Sequence, residues 1–256
     1  MSVKYDDGQT RLCNLRQSGS LKVLFPRNAG GDQCLAVLVN TAGGITGGDR
    51  FTLTAEAGAG STLAFTTQAA ERAYRATADQ TGQVRSSLKV QAGARLNWLP
   101  QETILFDGSA LNRRLDIHLD IDATALIVEP LVFGRTAMGE TVQQAHLTDR
   151  IEITQGGSPL VLDQIRMDGD IAAQLTHPTI TAGGIAMANL LFIDPSAEAR
   201  LPHIRAMLPA TGAASLRSRD VLALRLVAED SHAMRKTLVP ILTALSGTEI
   251  PRPWMI

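Results

Sequence analysis

Hydrophobic and polar residues alternate along most of this chain, with the period of two that is typical of β-strands. The clearest case is residues 114–122. Aliphatic residues alternate there with charged or polar ones: Leu115, Ile117, Leu119 and Ile121. Residues 51–56, 151–154 and 222–226 alternate in the same way. Each of these segments is therefore predicted to be a strand with one face in the core.

Three shorter segments are apolar at every position instead of alternating. They are Leu35–Val39, Ala125–Val128 and Leu160–Leu162. A strand without a polar face is typical of a sheet that is covered on both sides. We therefore predict three strands that are buried on both faces.

A weak internal repeat links several of the predicted strands. LTAEAGAGSTLAFTTQ begins at Leu53 and LKVQAGARLNWLPQ at Leu88, and each has a glycine corner between two strands, near Gly58 and Gly93. Looser echoes follow at residues 122–129 and 156–164. Such spacing favours stacked coils or hairpins of a β assembly. It does not fit a nucleotide-binding βαβ unit, because no long helical pattern separates the strands.

Helical patterns occur only late in the chain. One helix is predicted after Asp194 and Pro195, a good N-cap and first-turn pair. A second is predicted from Asp230 or Ser231 to Gly247, with a kink at Pro240. The uncharged run Ile171–Ile193 is too polar for a membrane span, and we interpret it as strands and turns. Since no change in composition divides the chain, residues 1–256 are predicted to form one domain.

Composition narrows the class of protein. The chain has 256 residues, 24 Lys and Arg against 25 Asp and Glu, and 4% aromatic residues. A formal net charge of −1 argues against a mainly electrostatic binder of nucleic acid or anionic membranes. Cys13 and Cys34 have no metal-ligand spacing, and the first residues do not resemble a signal peptide. We therefore expect reduced, partly buried thiols and a cytoplasmic location.

The segment NTAGGITGGDR, Asn40 to Arg50, contains four glycines, at positions 43, 44, 47 and 48. Glycine permits positive φ and a close approach of the backbone. A phosphate-binding P-loop does not fit, because no GK[ST] follows and the strand–loop–helix context is missing. Two interpretations stay open: a tight β connection, or a functional loop that holds Asp49 close to backbone amides.

Two acids lie inside otherwise apolar runs. They are Glu129 in ALIVEPLVFG and Asp163 in PLVLDQI. A buried carboxylate is costly unless it is paired, hydrogen-bonded or hydrated. The sequence leaves two explanations open: salt bridges to arginines such as Arg135 or Arg166, or a water-filled internal passage that is lined with acids.

Catalytic signals are weak. A β-rich hydrolase that uses Glu102 with Asp49 or Asp107 is a third hypothesis, and it requires both carboxylates in one cleft. The five histidines form no HxH or HxxxH pair, which argues against a His/Cys metal site. No GxSxG or Ser–His–Asp signature is present.

Four motifs in register carry a resemblance that is more specific than any one of them. They are NTAGGITGGDR, TTQAAERAYRA (Thr66–Ala76), LNWLPQETILFDG (Leu96–Gly108) and GRTAMGE (Gly134–Glu140), followed by the ending PRPW. In order and spacing they closely resemble the urease accessory protein UreD family, also called UreH. The motif residues are Gly43, Gly44, Gly47, Gly48, Gln68, Tyr74, Arg75, Pro100, Gln101, Glu102, Gly134, Arg135, Gly139 and Glu140.

The resemblance implies a non-catalytic cytoplasmic chaperone with a mainly β fold, a layered, β-helix-like stack of many strands with two C-terminal helices. It implies docking on apo-urease and recruitment of UreF and UreG for nickel insertion, in a complex that is dimeric through UreF. It implies no tightly bound cofactor, and no nucleic-acid or membrane partner. An internal nickel passage has been proposed for the family, and the matching acids here are Asp49, Glu71, Glu129 and Asp163. The alternative is a pure protein–protein scaffold without metal transit.

Overall fold

The computed structural model describes residues 1–26, 32–77, 79–135 and 138–255. Within them, strands form most of the secondary structure. The first strands in chain order are β1 (Ser2–Asp6), β2 (Gln9–Asn14), β3 (Leu21–Leu24), β4 (Cys34–Asn40), β5 (Arg50–Ala57), β6 (Thr62–Thr67), β7 (Glu71–Ala73), β8 (Gly82–Val90), β9 (Arg95–Trp98) and β10 (Thr103–Leu105). The remaining strands are β11 (Ala110–Leu119), β12 (Thr124–Phe133), β13 (Gln144–Gln155), β14 (Ser158–Asp170), β15 (Ala186–Ile193), β16 (Gly212–Ser218) and β17 (Val221–Ala228). The helices are α1 (Ile171–Thr176), α2 (Ala197–Ala206) and α3 (Ser231–Ser246), and Arg252–Met255 form a 3₁₀ turn.

The strands of the described segments form two sheets that pack face to face. The first sheet has the order β14-β13-β11-β8-β5-β1-β2. The second has the order β16-β17-β15-β12-β9-β6-β4-β3, with β10 between β12 and β7. Within each sheet the central strands are parallel: β5, β8, β11 and β13 in the first, and β4, β6, β9 and β12 in the second. Parallel neighbours require the chain to cross to the other sheet between them, which makes a coil.

The predicted repeat corresponds to these coils. Three four-residue turns, 58–61, 91–94 and 120–123, carry the chain from the first sheet to the second. The turns stack, since the Gly60 amide donates to the Ala92 carbonyl at 2.9 Å. Both predicted glycine corners therefore lie in one column, and the expectation of a β-helix-like stack is confirmed.

The fourth echo of the repeat folds differently. Strand β13 turns at Gly156 and Gly157, which have φ values of 56° and 82°. This conformation suits a two-residue hairpin turn. Strand β14 therefore pairs antiparallel with β13 and forms the edge of the first sheet. Because no strand covers its outer face, Leu162 is 54% exposed, and the prediction that Leu160–Leu162 is covered on both faces is wrong.

The other two predictions of doubly covered strands hold. Ala125, Leu126, Ile127 and Val128 have no exposed surface, and Leu35–Leu38 are buried. Alternate residues of β12 face the first sheet, and those between them face α3. The predicted strand at residues 114–122 ends at Leu119, and Ile121 is 82% exposed because it lies in the turn after it.

The predicted late helices are present, with one addition and one shifted boundary. Helix α3 has Asp230 as its N-cap and Gly247 in the left-handed conformation as its C-cap, as expected. Helix α2 begins at Ala197 with Ser196 as its N-cap, and Asp194 accepts the Ser196 amide instead of capping the helix. Residues 171–176 were predicted to be strand or turn but form α1, because the Asp170 carboxylate caps the Ala173 amide.

Buried polar contacts fix α3 and the C-terminal turn to the sheets. Arg235 donates to the Gln101 amide oxygen at 2.6 Å and to the Pro253 carbonyl at 2.8 Å, and it lies 3.1 Å from Glu102 Oε2. It also packs over the Trp254 ring, 5.1 Å from the centroid. Gln101 and Glu102 of the LPQETILFDG motif thus hold the C-terminal elements in place.

Removing the Glu102 carboxylate should destabilise the fold strongly. Glu102→Ala removes a buried carboxylate that pairs with the largely buried Arg235, and breaking a buried ion pair costs about 3–5 kcal/mol. Arg219→Ala removes an ion pair whose Arg219 side chain is 82% exposed and should cost under ~1 kcal/mol. Urea denaturation of both variants measures the difference, and equal losses would contradict this assignment.

Candidate functional site

Four long connections lie at one end of the coil stack, opposite the short turns. They comprise residues 41–49, 68–81, 99–109 and 134–143. They contain most of the residues of the four motifs that the sequence singled out; Thr136 and Ala137 lie outside the described residues. One end of the stack therefore consists of short turns. The other consists of long connections that contain most of the motif residues, and we call it the long-loop end.

Backbone hydrogen bonds join the four connections edge to edge. Ile45 and Arg72 are joined at 2.7 Å, Phe106 donates to Ala73 at 3.0 Å, and Gly134 donates to Leu105 at 2.8 Å. Most polar backbone groups of long loops face solvent, whereas these satisfy one another in register. The long-loop end is consequently an ordered surface.

Three motif glycines give other residues room to lie against these loops. A Cβ on Gly44 would lie 2.2 Å from a ring carbon of Tyr74, and one on Gly108 would lie 2.9 Å from the Arg75 side chain. A Cβ on Gly134, which has a φ of 82°, would lie 2.8 Å from the Glu140 carbonyl oxygen. These three glycines are therefore needed for the close approach of neighbouring groups.

A cavity of about 320 Å³ lies between the two sheets, next to this end. Its polar lining includes Asn40, Gln68, Glu71, Arg113 and Glu129. Pro100 and Gln101 also contribute to the wall. Two of the four acids that the family resemblance points to, Glu71 and Glu129, thus share one cavity.

Arg113 is the centre of a buried charge cluster on the cavity wall. Its Nη1 atom lies 2.7 Å from Glu129 Oε2, and its Nη2 atom lies 2.6 Å from Asp149 Oδ2. Its Nη1 also donates to the Thr103 hydroxyl at 2.9 Å, and the Trp98 indole donates to Glu129 Oε1 at 2.6 Å. Glu129 Oε2 accepts no aligned hydrogen bond from the described residues, despite its ion pair.

Burial dominates the electrostatics of both cavity acids. It raises the pKa of Glu129 to about 7, against the opposing effect of Arg113. It also raises the pKa of Glu71, although the Arg72 amide and Asn40 act in the opposite direction. The guanidinium of Arg113 stays charged, because Asp149 and Glu129 raise its pKa. The cavity thus combines the fixed positive charge of Arg113 with carboxylates that take up protons more readily than usual.

The cluster continues as a polar layer through the interior. Asn189 pairs with Glu129 in the β12–β15 register and donates to Asp163 Oδ2 at 2.5 Å. Asp163 in turn pairs with Arg225, whose side chain is 51% exposed. The expectation that Arg135 or Arg166 pairs with these two acids is wrong. Glu129 pairs with Arg113 and Asp163 pairs with Arg225, from strands that only the tertiary fold brings close. Arg135 pairs with Glu140 in its own loop.

Asp49 lies apart from the other three acids. It accepts the Thr46 amide at 2.8 Å and does not line the cavity. Residues 41–49 connect β4 to β5, and Asp49 fixes their conformation. Each carboxylate of the hydrolase hypothesis has a structural partner: Glu102 pairs with Arg235, Asp107 pairs with Arg75, and Asp49 accepts the Thr46 amide of its own loop. None of the three lines the cavity.

Three residues of this polar layer were not predicted from the sequence: Arg113, Asp149 and Asn189. A signal for the first two was available in the alternation. Arg113 falls on the same face as Leu111 and Leu115, and Asp149 falls between the inward Leu147 and Ile151. A charge at an inward position of a strand indicates a buried partner. Asn189 has no comparable signal.

In the parts of the chain that the structure describes, no three His, Cys, Asp or Glu side chains are grouped to hold a metal ion. Both cysteines are free; Cys13 is exposed and Cys34 buried. Among the same residues, no helix has the length and apolar character needed to cross a membrane.

Comparison with known proteins agrees with the motif resemblance. The family model described as UreD urease accessory protein matches residues 1–255. Urease accessory protein UreD of Ruegeria pomeroyi is 54% identical over 245 residues, which cover 96% of this chain and 95% of the relative. The protein of the same name from Roseobacter denitrificans is 45% identical over 256 residues, or 100% and 93% of the two chains. That from Rhizobium rhizogenes is 43% identical over 249 residues, or 97% and 90%.

The raised pKa of Glu129 predicts a pH dependence of stability. Protonated Glu129 is favoured in the folded chain, so its stabilising effect is complete below the ordinary pKa of 4.5 and is lost as the pH rises through about 7. The free energy of unfolding of the wild type, relative to Glu129→Gln, should therefore fall across this range, by at most ~3 kcal/mol. Urea denaturation at a series of pH values measures it.

Glu152→Gln is the matched control, because Arg150 lowers the pKa of the half-exposed Glu152. Its contribution has the opposite sign and is lost as the pH falls below the ordinary value. A flat difference between the wild type and Glu129→Gln from pH 4.5 to 7 would contradict the assignment for Glu129.

Proposed function

The chain belongs to the UreD urease accessory protein family, and we propose that it serves urease maturation as a non-catalytic scaffold that docks on apo-urease and recruits UreF and UreG for nickel insertion. The observation that carries this proposal is the match of the family model to residues 1–255. The ordered long-loop end supports it, because it holds the motif residues on one surface. A cytoplasmic location and a complex that is dimeric through UreF are parts of the same proposal.

We further propose that nickel passes through the cavity between the sheets. Glu71 and Glu129 face this cavity, and Asp163 continues the polar layer toward the exposed Arg225. Carboxylates are hard ligands that hold a borderline metal weakly, so they allow release. A nickel ion at Glu129 competes with the Arg113 guanidinium, which makes its binding reversible. Asp49 takes part only if the 41–49 loop turns its carboxylate away from Thr46.

A pure scaffold without metal transit is the second candidate. The observation that favours it is that Glu129 and Asp163 already have arginine partners, Arg113 and Arg225. In that case both acids serve the fold, and nickel reaches urease by another route.

Nickel loading distinguishes the two candidates. Glu129→Gln and Asp163→Asn keep the shape of the side chains but remove a charge. If nickel passes along these residues, urease activated in the presence of UreF and UreG should contain several-fold less nickel with either variant. Pull-down of UreF should be unchanged. The exposed Glu198→Gln, away from the cavity, is the control.

Full nickel content with both variants would contradict the passage and favour the pure scaffold. A nickel titration of the isolated protein adds a direct test, because a saturable site that is weakened in Glu129→Gln supports transit. If the wild-type protein neither binds UreF nor raises the nickel content of apo-urease, the proposed role in maturation is wrong.

A further inference from the structure

The outer surface of the long-loop end carries an arginine face, which we define as Tyr74, Arg75 and Arg135. Arg75 is 70% exposed and Arg135 is 44% exposed, measured on their side chains. Their acidic partners lie deeper, with Asp107 24% and Glu140 18% exposed. The groups that a partner meets first are therefore cationic, although each arginine has a counter-ion behind it.

Rigid neighbours hold the three side chains in place. The Tyr74 and Phe106 rings meet edge to face with centroids 4.9 Å apart. The Arg135 guanidinium lies over the same Phe106 ring, 4.1 Å from its centroid. Its Nε and Nη2 atoms both donate to the Glu140 carboxylate, at 2.8 and 3.1 Å. Asp107, which binds Arg75, itself accepts hydrogen bonds from the backbone amides of Gln143 and Gln144, at 2.9 and 3.0 Å. An exposed arginine usually samples many rotamers, whereas these two are preorganised.

The glycines beneath the face point to the same conclusion. Gly44 is buried, and its missing side chain makes room for the ring of the partly exposed Tyr74. Gly108 does the same for Arg75, at a φ of 77°. Ordering a glycine in a folded loop has a larger entropic cost than ordering other residues, while exposed ion pairs contribute little to the free energy of unfolding. The arrangement fixes surface groups more firmly than stability alone requires.

We infer that the arginine face is a docking surface for an acidic segment of a protein partner, an inference that rests on the proposed scaffold function. Exposed, preorganised Arg and Tyr side chains are the types enriched at the energetic centres of interfaces. A guanidinium binds a carboxylate through two parallel hydrogen bonds, so it recognises Glu or Asp side chains with defined geometry. Arg72 adds a further exposed positive charge beside Tyr74 and has no ion-pair partner among the described residues.

The test measures the affinity of purified UreF and of apo-urease, each alone, for variants of the full chain. Arg75→Gln combined with Arg135→Gln should weaken binding to one of the two proteins by about tenfold and reduce the salt dependence of that binding. Arg75→Lys with Arg135→Lys keeps the charge but loses the paired geometry, and should give an intermediate loss. Arg219→Gln, which removes an exposed ion pair in the turn after β16, should bind as the wild type does.

A thermal midpoint equal to that of the wild type shows that the double variant is folded. A soluble oligoglutamate should compete with the affected partner. Unchanged affinity of the Gln double variant for both proteins, or competition by RNA but not by oligoglutamate, would overturn the inference while leaving the scaffold function standing. If the wild-type protein binds neither UreF nor apo-urease, the proposed function fails and the inference fails with it.

Discussion

The Arg113 guanidinium, enclosed between Glu129 and Asp149, is the interaction on which the alignment of the interior depends. The three residues belong to β11, β12 and β13, so one cation joins two strands of the first sheet to one of the second. Apolar residues lie on both sides of this layer: Leu115 and Ile127 toward the short turns, and Leu111 and Leu131 toward the long loops. A shift of one residue in any of these strands would turn its charge outward and leave the others buried without a partner.

This requirement explains how a stack with weak sequence periodicity keeps its register. Aliphatic layers are tolerant, because one branched side chain packs almost as well as another. A buried ion cluster is far less tolerant, since both charge and hydrogen-bond geometry must be satisfied. The layer that divides the core in two therefore specifies the position of β11 against β13 and of both against β12. The cavity lies beside this layer, and Arg113 and Glu129 belong to its wall.

The coil architecture separates stability from function. Turns of four residues close one end, where sequence changes would disturb the stacking. The connections at the other end are long enough to add β7 and β10 and to carry the family motifs, and they are held by backbone pairing instead of by a core. Placing the internal charges next to this end brings the cavity, Glu71 and the arginine face into one region. The proposed nickel passage and the proposed docking surface are thus neighbours at this end of the stack.

The sequence by itself determined the clearly alternating strands, the glycine corners, the capped α3 and the family, because these depend on local periodicity, local conformation and the order of motifs. It also showed that Glu129 and Asp163 required an explanation, since a charge in an apolar strand is costly wherever it lies. Only the tertiary structure decided their partners, because Arg113 and Arg225 each lie in the sheet opposite the acid that they bind and meet it through the packing of the two sheets. It alone showed that the fourth echo of the repeat closes as a hairpin, which leaves Leu162 exposed. Packing between elements has no signature at a single position, and that is why these features were beyond the sequence.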